Sequence, residues 1–261
     1  MNRPLSVIII TYNAATQLEP CLQSVAFADE IIVVDSGSTD STATLVNHHS
    51  AKFLHQDWLG YGPQKQFSVE QAQHDWVLCV DADERISQRL KHSIIETLQA
   101  PQYNAYEMPR CNRFMGRWLR FGEGYPDYNL RLFHRAHAHW TQDIVHEHVV
   151  LKSSNEQKNK AVGRLAGDLQ HESQETLEQY LAKQNRYTSL QAEAMLQRKT
   201  KVGLARIVLS PLTRFIKFYF LRQGFRDGLP GLTHILIGCY NSFLKYVKLI
   251  ELRKNQQEQR R

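Results

Sequence analysis

Residues 76–84 read Trp76-Val77-Leu78-Cys79-Val80-Asp81-Ala82-Asp83-Glu84. Five apolar or aromatic residues in succession are the pattern of a strand buried on both faces, as in the middle of a parallel sheet. Three acids stand at its carboxyl end. In an open α/β sheet that end is where ligands bind. Two carboxylates one residue apart, Asp81 and Asp83, can face a single hard cation. Mg²⁺ or Mn²⁺ takes oxygen ligands and bridges substrate phosphates. An acidic turn is by itself more often merely solvated, so its meaning depends on the flanking chain.

Upstream, strands and helices alternate. Leu5 to Ile10 is a β-branched run that reads as a central parallel strand, with Thr11-Tyr12-Asn13 at its carboxyl end. Thr16 is placed to cap a helix running to about Ala26. Glu30 to Val34 is a second strand, ending in Asp35-Ser36-Gly37-Ser38-Thr39-Asp40. There Gly37 allows a tight turn, and Ser38 or Thr39 can cap the next helix. A third strand spans 51–54, Gly60-Tyr61-Gly62-Pro63 reads as a loop, and a helix over 64–73 carries Lys65. Another helix follows the Trp76 strand over 87–99. This alternation predicts an α/β, Rossmann-like fold around a mainly parallel sheet. No Gly-x-Gly-x-x-Gly turn follows the first strand, which disfavours a dinucleotide site. A nucleotide can still lie over the strand ends, with Tyr12 stacked on the base and Asp35 accepting from a ring N–H or a ribose hydroxyl. For Asp40, turn and cap chemistry is nearly as good a reading.

The chain has 261 residues and a net charge of +6, enough for one large domain or a domain with an appendage. Its four cysteines, Cys21, Cys79, Cys111 and Cys239, are scattered and read as reduced, which suits the cytoplasm. No leader peptide is expected at the N-terminus, and no apolar run reaches the ~20 residues of a spanning helix. Charge is uneven: Lys199 to Arg261 holds 13 Lys and Arg against 3 acids, a net of +10, and the rest carries −4. The anionic partner suggested by the tail is a membrane surface rather than nucleic acid.

In the middle segment, 105–114 and 128–134 read as strands separated by the loop Gly122-Glu123-Gly124-Tyr125-Pro126-Asp127. Val145-His146-Glu147-His148 and His171 add polar groups. A long helix is expected over 175–199. Two apolar helices with basic edges follow over 202–221 and 229–252, joined by Gly224 to Gly228, with disorder after Lys254. Such helices suit an anionic bilayer surface. The bland alternative is a helical hairpin packed on the body or on a second copy in a homo-oligomer. The expected division is 1–172 for the α/β domain and 173–261 for the helical extension.

Three ordered motifs, Val-Ile-Ile-Ile-Thr-Tyr-Asn, Ile-Val-Val-Asp-Ser-Gly-Ser-Thr-Asp and Val-Asp-Ala-Asp-Glu, together resemble the family 2 glycosyltransferases of GT-A fold over roughly residues 4 to 90. The resemblance implies that Thr11, Tyr12, Asn13, Asp35, Lys65 and Asp81 surround a nucleotide-sugar. It makes Asp83 the main protein ligand of Mg²⁺ or Mn²⁺, and His146 the residue completing the metal site, with His171 as alternative. Where the family has Glu-Asp ahead of a Leu and an Arg, this chain has Pro126-Asp127 ahead of Leu130 and Arg131. Asp127 is thereby implied as general base, with Glu147 as second candidate. Tyr-Pro-Asp-x-x-Leu-Arg-Leu-Phe, Val-His-Glu-His and Lys183-Gln-Asn-Arg-Tyr187 further resemble the lipopolysaccharide inner-core β-1,4-glucosyltransferases. That implies an inverting transfer of glucose from UDP-glucose to a heptose of a core glycolipid, by a peripheral enzyme on the inner face of the bacterial inner membrane. The alternatives are another nucleotide-sugar-dependent transferase acting on a cell-envelope glycan or lipid carrier, a nucleotidyltransferase, and a non-catalytic binding module.

Overall fold

A computed structural model of the chain describes residues 3–142, 147–152, 162–173 and 176–258. It divides into two compact units, Met1–Cys111 with Asp127–Glu172, and Asn112–Pro126 with Ser173–Arg261.

In the first unit the elements run β1 (Leu5–Thr11), α1 (Ala15–Val25), β2 (Glu30–Asp35), α2 (Thr42–His48), β3 (Lys52–His55), α3 (Tyr61–Glu70), β4 (Trp76–Asp81), β5 (Glu84–Ile86), α4 (Gln88–Gln99) and β6 (Ala105–Phe114), the last as far as Cys111. After β7 (Arg117–Trp118), which lies in the second unit, come β8 (Asp127–His134), β9 (Ala138–Trp140), β10 (Val149–Leu151), β11 (Gly163–Arg164) and β12 (Leu169–His171). The main sheet has the order β3-β2-β1-β4-β8-β6-β12-β5. Its first four strands are parallel, and β8 joins β4 antiparallel.

Side chains of β1, β2 and β4 alternate between two cores, as strand geometry requires. Leu5, Val7, Ile9, Val33, Leu78 and Val80 pack under α1, α2 and α4. Ile8, Ile32, Val34, Val77 and Cys79 pack under α3 and the β9–β10 hairpin, beside Phe133 and Trp140. Both faces are covered, which explains why these strands read as unbroken apolar runs.

Helix starts differ from the sequence reading. Neither Thr16 nor Ser38 nor Thr39 caps a helix; α1 starts after Ala14 and α2 after Ser41. Asp40 takes that work instead, its carboxylate accepting from the backbone N–H of Ala15 at 3.1 Å and of Thr42 at 3.0 Å. Gly60-Tyr61-Gly62-Pro63 is not a loop: α3 already begins at Tyr61, because a proline in the first turn gives up no intrahelical hydrogen bond. Gly62 leaves no room for a side chain, since the Thr141 carbonyl and the Glu147 Cβ lie against it. That close approach brings Glu147 to α3.

The second unit holds α5 (Leu177–Gln197), α6 (Leu204–Phe215) running into a π-helical turn (Ile216–Leu221), a 3₁₀ turn (Gly224–Asp227) and α7 (Gly228–Glu258). Helix α7 continues past Lys254 to Glu258, where disorder was expected. Thr176 opens α5 with a reciprocal cap: its hydroxyl accepts from Gln179 N–H at 3.2 Å, and the Gln179 amide oxygen accepts from Thr176 N–H at 2.9 Å. Helices α5 and α6 both pack on α7, with Asn241–Gln184 and Ser210–Ser242 hydrogen bonds at 2.8 and 2.7 Å. The loop 112–126 is tied into this unit. The buried Asp227 carboxylate accepts from the N–H groups of Arg120 at 2.9 Å and Phe121 at 2.8 Å, and Glu123 pairs with Arg214 over Gly238. No helix among the described residues is long and apolar enough to cross a membrane. None of the four cysteines forms a disulfide, and all four are buried.

Burial, with repulsion from Arg214, pushes His234 of α7 down from 6.5 to about 4. The unfolded chain therefore takes up a proton that the folded unit refuses. Stability is whole above about pH 6.5 and falls as the pH drops toward about 4, by up to about 3 kcal/mol. Urea midpoints followed by circular dichroism across this window should fall for the wild type and stay flatter for His234→Phe. Equal acid losses in both would place the titration elsewhere.

Candidate active site

The parallel register aligns the strand ends. Thr11 lies beside Asp35, and Ile10 beside Asp81. Over them opens a cavity of about 830 Å³, lined by Thr11, Tyr12, Ser36, Asp81, Asp83 and His171 among others. Asp83 stands in the turn between β4 and β5. Antiparallel pairing of β12 with β5 sets His171 opposite Glu84. The His171 Nε2 thereby comes 3.1 Å from Asp83 Oδ2, although 88 residues separate the two.

Asp81, at the cavity wall, belongs to a chain of alternating charges. Asp127 pairs with Arg110 at 3.1 Å, and Arg110 with Glu84 at 3.8 Å. Glu84 pairs with Arg131 at 3.1 Å, and Arg131 with Asp81 at 2.8 Å. Asp81 pairs with Lys65 at 3.1 Å, and Lys65 with Glu147 at 3.2 Å. Trp140 sits between two of the cations, its ring centroid 4.8 Å from the Lys65 Nζ and 5.6 Å from the Arg131 Cζ. Its indole N–H donates to the Cys79 Sγ at 3.3 Å, and burial pushes that thiol up to about 11.

The two acids beside Arg131 respond in opposite directions. Burial would raise Asp81, but Arg131 and Lys65 outweigh it and hold the carboxyl well below the usual range. For Glu84 burial wins over Arg131, and the neighbouring Asp81 adds to it, so its pKa is raised. Arg131 itself is driven further up by the same two acids, against its own desolvation. Asp81 is therefore a permanent anion facing the cavity with its countercharges behind it.

Not every residue singled out in the sequence meets the cavity. Tyr12 does, with its ring exposed. Asp35 is buried and committed to the turn: its Oδ2 accepts from Thr11 at 3.0 Å, and its Oδ1 from the N–H groups of Gly37 at 2.9 Å and Ser38 at 2.8 Å. Asn13, at φ 48°, braces the same two loops through Ser38 at 2.7 Å and Thr39 at 2.8 Å. Lys65 is buried. Asp127 and Glu147 occupy opposite ends of the charge chain. His146 lies outside the described residues.

The donor set suits a hard divalent ion. Asp83 and His171 offer one carboxylate and one imidazole at the cavity wall, and no group of three ligating side chains occurs among the described residues. Mg²⁺ and Mn²⁺ bind with one or two protein carboxylates when substrate phosphates and water supply the rest.

A mixed sheet whose acidic strand ends floor a single-nucleotide-sized cleft is the GT-A class of fold. The profile of "Glycosyl transferase family 2" matches residues 6–156, and the chain belongs to that family. It is similar to the lipopolysaccharide core biosynthesis glycosyltransferase LpsC of Rhizobium meliloti, 29% identical over 95% of this chain and 92% of that protein. An uncharacterized glycosyltransferase of Rickettsia bellii is 33% identical over 97% of this chain and 88% of its own length. Among solved structures, Staphylococcus aureus TarS 1–349 in complex with UDP-GlcNAc shares 17% identity over 90% of this chain and 79% of that chain, with a TM-score of 0.49.

Proposed function

We propose that this glycosyltransferase moves a sugar, glucose, from UDP-glucose onto a heptose of a lipopolysaccharide-core glycolipid, with inversion at the anomeric carbon. The observation that carries the reading is the pair Asp81 and Asp83 at the end of β4, facing a cavity beside Thr11 and Tyr12. Likeness to LpsC along nearly the whole chain supports the acceptor class. Tyr12 stacks on the uracil, while Thr11 and Asp81 meet the nucleoside. Asp35 and Asn13 act behind them by fixing the two loops, and Lys65 acts by holding Asp81.

Asp83, with His171 or His146, would hold Mg²⁺ or Mn²⁺, and the bound ion would supply positive charge to offset that of the departing diphosphate. Asp127 takes the proton of the acceptor hydroxyl as its oxygen attacks C1 from the face opposite the diphosphate. Because the acceptor is lipid-linked, the enzyme works as a peripheral protein on the cytoplasmic side of an anionic membrane.

Incubation with a panel of UDP-sugars and core glycolipid, followed by mass analysis, tests the function. The expected product is the acceptor plus one hexose, with release of UDP. Release of pyrophosphate would instead mark a nucleotidyltransferase. Asp83→Asn should leave the fold intact and reduce transfer roughly 10²- to 10³-fold with either metal present. Wild-type turnover by that variant would remove Asp83 from the metal site.

A further inference from the structure

The end of the second unit between α6 and α7 combines three features that no role above uses. First, aromatic side chains cluster there in the open. Phe215 stacks on Tyr219 at 5.0 Å and meets Phe220 edge-on at 6.0 Å, and Tyr219 reaches Phe225 at 6.0 Å. The π-helical turn allows Phe215 to touch residues both four and five positions on. Large apolar residues here remain in solvent: Phe220 is 55% exposed, Leu221 75%, Phe225 49% and Leu229 66%. An exposed patch of this kind marks a binding surface.

Second, its charges have one sign. Residues 199–250 contain nine Lys and Arg and a single acid, Asp227. That acid is buried and spent on the N–H groups of Arg120 and Phe121. Third, cations without a carboxylate partner lie on the same turn, against the ring of Phe218. Lys217 and Arg222 lie 5.2 and 6.0 Å from the Phe218 ring and, among the described residues, pair with no carboxylate. Arg214 faces the same ring but is already held by Glu123.

We propose that residues 215–229 are the docking apex for an anionic lipid bilayer, with Phe220, Leu221, Phe225 and Leu229 entering the headgroup boundary and Lys217 and Arg222 meeting lipid phosphates. Exposed aromatic and aliphatic side chains interleaved in one turn with cations that lack a carboxylate partner suit a leaflet, in which acyl chains lie below phosphates. A second copy of the chain fits worse. Symmetric pairing of this face would set Lys217 and Arg222 against their own counterparts with no acid between. This docking deepens the lipid-linked reading above, and a water-soluble acceptor separates the two.

The full-length protein is floated with phosphatidylcholine vesicles, with and without phosphatidylglycerol, at low and high salt. Wild type should float roughly tenfold more with anionic vesicles than with neutral ones, and salt should release only part of it. Lys217→Gln with Arg222→Gln should lose most of the salt-sensitive fraction. Leu221→Ser with Phe225→Ser should lose the salt-resistant fraction. These side chains are exposed, so circular dichroism and transfer to a delipidated acceptor should match wild type. Docking is overturned by equal binding to neutral vesicles, by unchanged flotation of the charge variant, or by a wild-type dimer that the Leu221 and Phe225 changes dissociate. Correct flotation without transfer to any acceptor would uphold docking and sink the transferase specificity.

Discussion

Asp127→Asn should bind UDP normally and lose roughly 10²- to 10⁴-fold in transfer rate, the usual contribution of a general base. Asp127 opens β8, with its carboxylate oriented by Arg110 through Nε at 3.2 Å and Nη2 at 3.1 Å. Its side chain is still 44% exposed and open to an approaching hydroxyl, although it is not among the residues that line the cavity. Glu147 is placed differently. It shares Lys65 with Asp81 and is the more enclosed of the two. Glu147→Gln is therefore expected to weaken the grip on Lys65 and leave most of the rate. Steady-state kinetics with calorimetric titration of UDP read out both variants. An inactive Glu147→Gln beside an active Asp127→Asn would exchange the two roles.

Arg131→Met should cost roughly 3–5 kcal/mol of stability, because it strands carboxylates that burial has already made expensive. Arg131 is 4% exposed and Glu84 fully buried, and the one guanidinium pairs with both Asp81 and Glu84, whose other cations are Lys65 and, at a longer 3.8 Å, Arg110. Its loss should also release the Asp81 side chain from its set position, lowering donor affinity. Adding Glu84→Gln should recover part of the stability, since a neutral amide needs no countercharge. Urea unfolding of the two single variants and the double variant measures this coupling. A loss below about 1 kcal/mol would mean that Arg131 behaves like a surface ion pair.

Much of the first unit could be read from residues in order. Runs such as Val7 to Ile9 and Val77 to Val80 are buried on both faces, and such runs announce a parallel sheet with its site at the strand ends. The apolar, basic hairpin near the C-terminus was equally plain. Pairings between distant residues were hidden. His171 entered only as the alternative to His146, because no local pattern puts it beside Asp83; it arrives there through the pairing of β12 with β5. The partnership of Arg131, Glu84 and Arg110 likewise depends on β8 inserting next to β4, a long-range choice that local pattern does not encode. The cap assignments missed for a related reason. Ser38 looked free to start a helix, but its hydroxyl and N–H are consumed by Asp35, and Asp40 reaches across to α1. Trp140 gave no signal, since an aromatic residue in a short strand is ordinarily core.

The placement of residues 112–126 bears on how this protein can be dissected. A cut after Glu172 looks natural on paper, since it keeps every catalytic candidate and discards a basic tail. It would also strip the loop of Asp227, Arg214 and the Arg222 carbonyl that receives Gly122 N–H at 2.9 Å. Amides of Arg120, Phe121 and Gly122 would then lose their acceptors just ahead of Asp127 in the chain. The helical region is thus no detachable module. Chimeras that exchange acceptor preference between related transferases should carry the loop and the C-terminal helices from the same parent.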